Sequence, residues 1–237
     1  MALRRADAGR VDASPLRSPR SSLAGSGQTG WGDRLRAWIY DRSIVSLTSR
    51  WYAEVLGRVP RGAHMLDVGV GTAGALVSQA DLIAERDLHI HGVDIDPDYV
   101  KQAEKRIAKA RLTRRVSVEH VPLNAHSGGP YDAIYFAASF MLFDDPIGAL
   151  HDAVRLLKPD GRIFFTQTFH ERKSPLMEKL KPMLVRVTSI DFGRVTYEEP
   201  FLATLADARL DVVEHVVIDK VGRTTHRLVV ARPAAAS

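Results

Sequence analysis

Short apolar runs alternate with turn residues and amphipathic stretches along most of the chain. An apolar run at 64–68 is followed by a glycine-rich turn and by the start of a helix at 75–77. Further strands are predicted at 88–95, 116–118, 133–138 and 161–165, with amphipathic helices at 98–110 and 146–157 between them. Strands that alternate with helices favour an α/β fold with a mostly parallel sheet.

The carboxyl-terminal part has a different pattern. A helix is predicted at 201–208, and two strands follow at 210–218 and 225–231, joined by a short connection at 219–223. Strands joined by so short a connection pair as a hairpin, so the last strand runs antiparallel to the others. Together these segments predict a seven-stranded sheet.

The chain divides into three parts by pattern. Residues 1–30 are rich in Ala, Ser, Gly, Arg and Pro and have no apolar period, so we expect a disordered tail. Residues 31–60 have apolar residues at helical spacing and predict an amino-terminal helical cap. Residues 61–237 form the α/β domain, in which about 170–200 is an insertion.

Composition limits the possible classes of protein. The 237 residues are 45% hydrophobic and 26% charged, as in ordinary globular proteins. The net charge of +5 is spread over helix faces beside acidic residues, so nucleic acid is not an expected partner. No apolar run is long enough to span a membrane. The chain has no cysteine, so we expect no disulfide framework, zinc site or thiolate nucleophile.

The glycine-rich turn carries the candidate chemistry. Gly69, Gly71 and Gly74 have G-x-G-x-x-G spacing, which suits a nucleotide-type ligand that approaches the backbone closely. Asp67 precedes them at the end of the strand. Its carboxylate would repel a pyrophosphate and attract an ammonium group. S-adenosylmethionine (SAM) carries an ammonium group near its adenosine, whereas a dinucleotide does not.

A second acid follows at the end of the next predicted strand. Asp94 lies twenty residues after Gly74, where a carboxylate can accept hydrogen bonds from both hydroxyls of a ribose. Asp96 and Pro97 come next, and they are typical of a helix start, with Asp96 as the capping residue.

These motifs resemble those of the class I (Rossmann-like) SAM-dependent methyltransferases, whose first motif is commonly D/E-x-G-x-G-x-G. The chain departs from that motif at Ala73, which stands in place of the third glycine. The stretch G-V-D-x-x-P at 92–97 resembles the second motif, and K-P-x-G-R at 158–162 resembles another family stretch. The resemblance covers about residues 35–232 and implies a doubly wound sheet with a reversed carboxyl-terminal hairpin.

The resemblance also implies which residues contact SAM. Asp94 would bind the ribose and Ile95 would pack on the adenine. Asn124, or the backbone near Leu123, would bind the adenine amino group, while Ser139 would lie in the loop below the sulfonium. The remaining cofactor residues that it implies are Asp67, Gly69, Gly71, Thr72 and Gly74.

The expected activity is methyl transfer from SAM to a small-molecule acceptor, without a metal. Transfer from a sulfonium mainly requires alignment and exclusion of water, so few dedicated catalytic residues are needed. His170, after the fifth strand, and Tyr40, at a break in the helical cap, are the candidate catalytic residues. RNA or protein methylation, an NAD(P)-dependent oxidoreductase and a non-catalytic SAM-binding subunit remain as alternatives. We expect a cytoplasmic protein, although the Arg- and Ser-rich tail also resembles a mitochondrial transit peptide.

Overall fold

The computed structural model describes residues 48–170, 196–222 and 224–235. The predicted tail, most of the predicted cap including Tyr40, and most of the predicted insertion lie outside these ranges. The first described residues, 48–58, are helical and form α1. This helix agrees with the amphipathic pattern found at the end of the predicted cap.

Seven strands and six helices follow one another in the described residues. The strands are β1 (His64–Val68), β2 (His89–Asp94), β3 (Val116–His120), β4 (Tyr131–Ala137), β5 (Leu157–His170), β6 (Leu210–Val221) and β7 (Thr224–Pro233). After α1, the helices are α2 (Gly74–Val77), α3 (Ala80–Glu85), α4 (Pro97–Lys109), α5 (Pro146–Leu156) and α6 (Glu198–Asp207). Two 3₁₀ turns cover Leu123–Ala125 and Phe140–Leu142.

The strands form one sheet in the order β3-β2-β1-β4-β5-β7-β6. The pairs among β1 to β5 are parallel, whereas β7 is antiparallel to both of its neighbours. The predicted seven-stranded sheet with a reversed final strand is therefore confirmed. The carboxyl ends of β1, β2 and β4 meet at one edge, where an open α/β sheet binds ligands.

Each face of the sheet carries its own hydrophobic core. Neighbouring residues of a strand point to opposite faces, so Tyr135 packs on one side and Phe136 on the other. Helices α1 to α4 cover the face of Tyr135, and helices α5 and α6 cover the face of Phe136. Helices on both faces make the sheet doubly wound, as predicted.

Short-range hydrogen bonds fix where helices α4 and α5 begin. The Asp96 carboxylate accepts from the backbone N–H of Asp98 at 2.8 Å and of Tyr99 at 3.2 Å, which confirms it as the cap of α4. Asp145 caps α5 by accepting from the N–H of Gly148 at 2.9 Å. Among the described helices, none is long and apolar enough to cross a membrane.

The final strands are longer than their sequence pattern predicted. The β6–β7 ladder continues to the pair Val221↔Thr224, so most of the predicted connection at 219–223 is strand. The polar residues at this end of the hairpin did not indicate a strand in the sequence. They are tolerated there because β6 lies at the edge of the sheet, where one side is open to water. Its register shifts at Val212/Glu214 and at Val217/Asp219 also break the two-residue period.

Replacement of Phe165 tests where the hydrophobic core lies. Its side chain is fully buried, stacks on Phe136 at 5.3 Å between ring centroids, and meets Phe201 edge-on at 5.4 Å. Phe165→Ala should lower the free energy of unfolding by about 3–5 kcal/mol, since it removes a ring from a packed cluster. Val217→Ala, on the exposed edge strand, is the control and should cost under about 1 kcal/mol. Urea denaturation measures both, and equal losses would contradict this placement of the core.

Candidate functional site

A cavity of about 660 Å³ opens at the carboxyl ends of β1, β2 and β4. Its lining is mostly apolar side chains with a few acids, and it includes the glycine-rich turn. Seven of the predicted cofactor residues line it: Gly69, Gly71, Asp94, Ile95, Leu123, Asn124 and Ser139. The sequence motifs, which are spread over seventy residues of chain, therefore converge on one cavity.

The two glycines of the turn that line the cavity are required for different reasons. Both have positive φ, +74° at Gly69 and +57° at Gly71, which favours glycine. A Cβ on Gly69 would lie 2.6 Å from the Cβ of Ser139, so this glycine allows two protein segments to pack. A Cβ on Gly71 would meet no protein atom within 4 Å. Gly71 therefore leaves space that belongs to the cavity and is available to a ligand.

Asp94 joins the tip of β2 to the glycine-rich turn. One carboxylate oxygen accepts from the backbone N–H of Gly71 at 2.8 Å, and the other accepts from the N–H of Asp96 at 2.9 Å. Each carboxylate oxygen can accept two hydrogen bonds, so both keep capacity for a ligand. The side chain is thus held in place while it still offers two acceptors to the cavity.

Asp67 is completely buried and does not itself line the cavity. One of its carboxylate oxygens accepts a 2.7 Å hydrogen bond from the Tyr52 hydroxyl of α1. The other oxygen has no hydrogen-bond partner among the described residues. Burial raises the pKa of Asp67 to about 7, although the Tyr52 hydrogen bond lowers it and the nearby Asp94 charge raises it further. An additional positive group beside this carboxylate would favour its ionised form.

The other cavity walls come from the segments after β2, β3 and β4. Ile95 is 73% exposed and Leu142 is 58% exposed, so both offer apolar surface that no described residue covers. The Ser139 hydroxyl donates to the carbonyl of Val68, which fixes the loop after β4 against the end of β1. Leu123 and Asn124 lie in the 3₁₀ turn after β3 and face the same cavity.

The remaining predicted residues lie elsewhere. Thr72 does not line the cavity, because Arg106 of α4 donates to both its carbonyl and its hydroxyl. Gly74 is the first residue of α2 and also lies outside the lining. His170 ends β5, where its N–H donates to the Thr196 carbonyl at 3.2 Å, and its side chain does not line the cavity. Tyr40 is outside the described residues.

Several residues of the site were missed in the sequence. Tyr52 looked like one apolar position of an amphipathic helix, and nothing local indicated that its hydroxyl would reach Asp67. Tyr99 also lines the cavity. Tyr99 could have been found, because it lies in the first turn of the helix that Asp96 caps, close behind Asp94.

The site fits the parts of a SAM molecule. Asp94 offers two acceptors suited to ribose hydroxyls, and the exposed side chain of Ile95 offers a flat apolar surface for an adenine. Gly71 leaves room for close approach to the backbone. Asp67 provides a buried carboxylate with an unpaired oxygen, as a ligand with an ammonium group requires.

Comparisons with known proteins agree with this geometry. Residues 66–163 match the family model described as a methyltransferase domain. An uncharacterized methyltransferase of Bacillus subtilis (strain 168) is 30% identical over half of this chain and 62% of its own length. A ubiquinone biosynthesis O-methyltransferase of Xylella fastidiosa (strain 9a5c) is 32% identical over 45% of this chain and 43% of its own length. The chain thus spans about half the length of these curated relatives.

Solved structures share the fold at lower sequence identity. A SAM-dependent methyltransferase from Aquifex aeolicus has a TM-score of 0.59 and 22% identity, over 77% of this chain and 88% of its own. The [4+2]-cyclase SpnF has a TM-score of 0.63 and 17% identity, over 81% of this chain and 82% of its own. The fold, the glycine-rich turn and the matched residues agree with one another. Residues 66–163 match a methyltransferase domain, and the described chain has the Rossmann-like fold of the SAM-dependent methyltransferases to which it is similar.

Proposed function

We propose that this protein transfers a methyl group from SAM to a small-molecule acceptor. The observation that carries the proposal is the position of Asp94, which is fixed by the N–H groups of Gly71 and Asp96 and still offers acceptors to the cavity. This arrangement suits a ribose beside a glycine-rich turn. The match of residues 66–163 to a methyltransferase domain, and the structural similarity to SAM-dependent methyltransferases, support the same assignment.

The other lining residues divide the cavity into regions. Ile95 and Leu123 provide apolar contacts on the adenine side, and the Asn124 amide oxygen can accept from the adenine amino group. Gly71 allows the ligand to approach the backbone. The carboxylate of Asp67, which is held by Tyr52 and adjoins the lining residue Val68, would attract the ammonium group. Thr72 acts indirectly, since its bonds to Arg106 fix the turn against α4.

The chain's own task in the reaction is alignment. When bound, SAM supplies a methyl group that the positive sulfonium has already activated for displacement. The loop after β4, held by Ser139, and the apolar residues Leu142 and Phe143 restrict where an acceptor can lie and exclude water. Tyr40, which lies outside the described residues, and His170, the last described residue before 171, remain candidates for contact with the acceptor.

A small acceptor is favoured by the relatives. The Xylella fastidiosa relative is named as a ubiquinone biosynthesis O-methyltransferase, which associates this domain with small-molecule methylation. An oxidoreductase that uses NAD(P) is disfavoured, because the buried carboxylate of Asp67 opposes a pyrophosphate. The fold alone does not decide the reaction, since the structurally similar SpnF is named as a cyclase. An activity measurement is therefore part of the test.

The experiment that tests the proposal combines binding with turnover. Calorimetry should show binding of SAM and S-adenosylhomocysteine and none of NAD or NADP. Incubation with SAM and a panel of small phenols, quinols, amines and carboxylic acids should produce S-adenosylhomocysteine with at least one acceptor. SAM binding without turnover on any acceptor would leave a SAM-binding protein and contradict the enzymatic proposal. Binding of NAD in place of SAM would contradict the whole assignment.

Asp94→Ala tests the proposed ribose contact. The change removes a carboxylate that accepts from two backbone N–H groups and, as we propose, from the ribose. SAM affinity should fall by about 1.5–3 kcal/mol, which is about 10- to 100-fold. Asp98→Ala is the matched control, because Asp98 is an exposed acid in the first turn of α4 that does not line the cavity. Calorimetry measures both, and equal affinities for the two variants would argue against the assignment of Asp94.

His170→Ala tests whether alignment is enough for catalysis. Because the His170 side chain does not line the cavity, its removal should lower kcat by less than tenfold, against the roughly 10² to 10⁴ of a general base. Steady-state kinetics on the best acceptor of the panel measures the effect, with SAM affinity determined separately. A thousandfold fall in kcat at unchanged SAM affinity would instead make His170 the base.

Asp67→Asn tests the cost of the buried carboxylate. The folded protein raises the pKa of Asp67 from 3.8 to about 7, so stability present at low pH is lost as the pH rises between these two values. An amide has no such cost. The variant should therefore gain about 2–3 kcal/mol relative to the parent protein between about pH 5 and about pH 8.

Urea denaturation of both ligand-free proteins at the two pH values measures this difference, and titration of other groups cancels in the comparison. The same substitution should weaken SAM binding, because the neutral amide no longer attracts the ammonium group. A pH-independent difference in stability would show that Asp67 is not forced toward its neutral form.

A further inference from the structure

Three side chains with metal-binding atoms meet on the sheet away from the cofactor cavity. His91 comes from β2, Glu119 from β3, and His126 from the segment that follows the 3₁₀ turn after β3. One oxygen of Glu119 lies 3.3 Å from Nε2 of His91 and 3.1 Å from Nδ1 of His126. All three potential ligand atoms lie within 4.8 Å of one another.

We propose that His91, Glu119 and His126 form a Zn²⁺ site. Two imidazole nitrogens and one carboxylate oxygen are a ligand set that zinc accepts, with water in the fourth position. Ligands about 2.0–2.2 Å from a tetrahedral ion lie about 3.3–3.5 Å from one another. The observed separations of 3.1 and 3.3 Å are close to that spacing, so little movement of the carboxylate is needed.

The outer nitrogen of each histidine is held by a hydroxyl group. Nδ1 of His91 lies 2.8 Å from the Ser117 hydroxyl, and Nε2 of His126 lies 2.8 Å from the Tyr131 hydroxyl. Such contacts orient the rings of metal-binding histidines and are a regular feature of metal sites. Both rings therefore direct the opposite nitrogen toward Glu119.

The two hydroxyls also allow the cluster to exist with or without the ion. Without it, each histidine donates its inner N–H to Glu119 and accepts from its hydroxyl. With it, each proton moves to the outer nitrogen and is donated to the hydroxyl oxygen, so both inner lone pairs bind Zn²⁺. Two neutral histidines can make this change by tautomer exchange, without losing a hydrogen bond on the outer side.

The cluster is accessible and has room to adjust. Glu119 is half exposed, and His91 lines a cavity of about 320 Å³ together with Ser117 and Tyr131, so solvent reaches the cluster. The imidazoles of His91 and His126 stack at 5.0 Å with 19° between their planes. Each ring must tilt toward the ion, because a metal lies in the plane of the imidazole that binds it. The broad χ2 preference of histidine permits that rotation.

The proposed zinc site would fix both ends of a segment that also lines the cofactor cavity. Leu123 and Asn124 line that cavity and lie between Glu119 and His126 in the chain. A bound ion would close this segment into a loop whose two ends are fixed. The ion would thereby hold one wall of the cofactor cavity in place.

Calorimetry with Zn²⁺ alone tests the proposal on the full-length chain without a histidine tag, after treatment with a chelator. We expect one Zn²⁺ per chain, and a melting temperature that rises when the ion is added. Glu119→Gln and His126→Gln should each weaken binding by more than about 100-fold, and Tyr131→Phe by about 10- to 100-fold. Glu119 is half exposed, so its replacement leaves the core intact.

His64→Gln is the matched control. His64 stacks on His89 at 5.0 Å in a similar way but lies outside the cluster. This variant should bind Zn²⁺ as the parent protein does. Absence of stoichiometric binding to the parent protein would overturn the proposal. So would unchanged affinity and unchanged stabilisation by Zn²⁺ in the Glu119→Gln variant.

Discussion

The contact between the Asp94 carboxylate and the backbone of Gly71 determines the geometry of the site. It joins the end of β2 to the turn after β1, two segments that the parallel sheet has already placed side by side. A turn rich in glycine loses much conformational freedom when it becomes ordered, because glycine has the largest backbone entropy to lose. The carboxylate fixes this turn at a single position, and Ser139 supports it from the other side through the carbonyl of Val68.

The sequence predicts features that depend on near neighbours and misses those that depend on distant ones. The cap at Asp96 and the conformation of Gly71 follow from local residue types, so both could be read from the chain. The contact of Tyr52 with Asp67 joins a helix to a strand, and no spacing rule indicates it. The same holds for His91, Glu119 and His126, which come from three separate segments. The absence of cysteine suggested that no zinc site exists, but it excludes only sites that use thiolates.

The departure from the family motif at Ala73 has a physical explanation. Ala73 has φ of 55° and ψ of 19°, a left-handed conformation that costs a residue with a side chain about 1–2 kcal/mol. Its methyl group is 98% buried in the core below the turn, and burial of one such group contributes about 0.8 kcal/mol. Packing therefore offsets much of the strain. Alanine can therefore replace the third glycine of the motif at this position, because its methyl group is buried.

The two edges of the sheet differ in how they resist association with other chains. β3 forms one edge and has only five residues, whereas β6 forms the other edge with twelve residues, several of them exposed valines. A long, regular edge of that kind would be a template for an additional strand. The two register shifts in β6 interrupt the regular succession of backbone donors and acceptors on its open side. A strand from another molecule could pair only with the few β6 residues between the two register shifts. The irregular pairing of β6 with β7 therefore protects β6 from pairing with other chains.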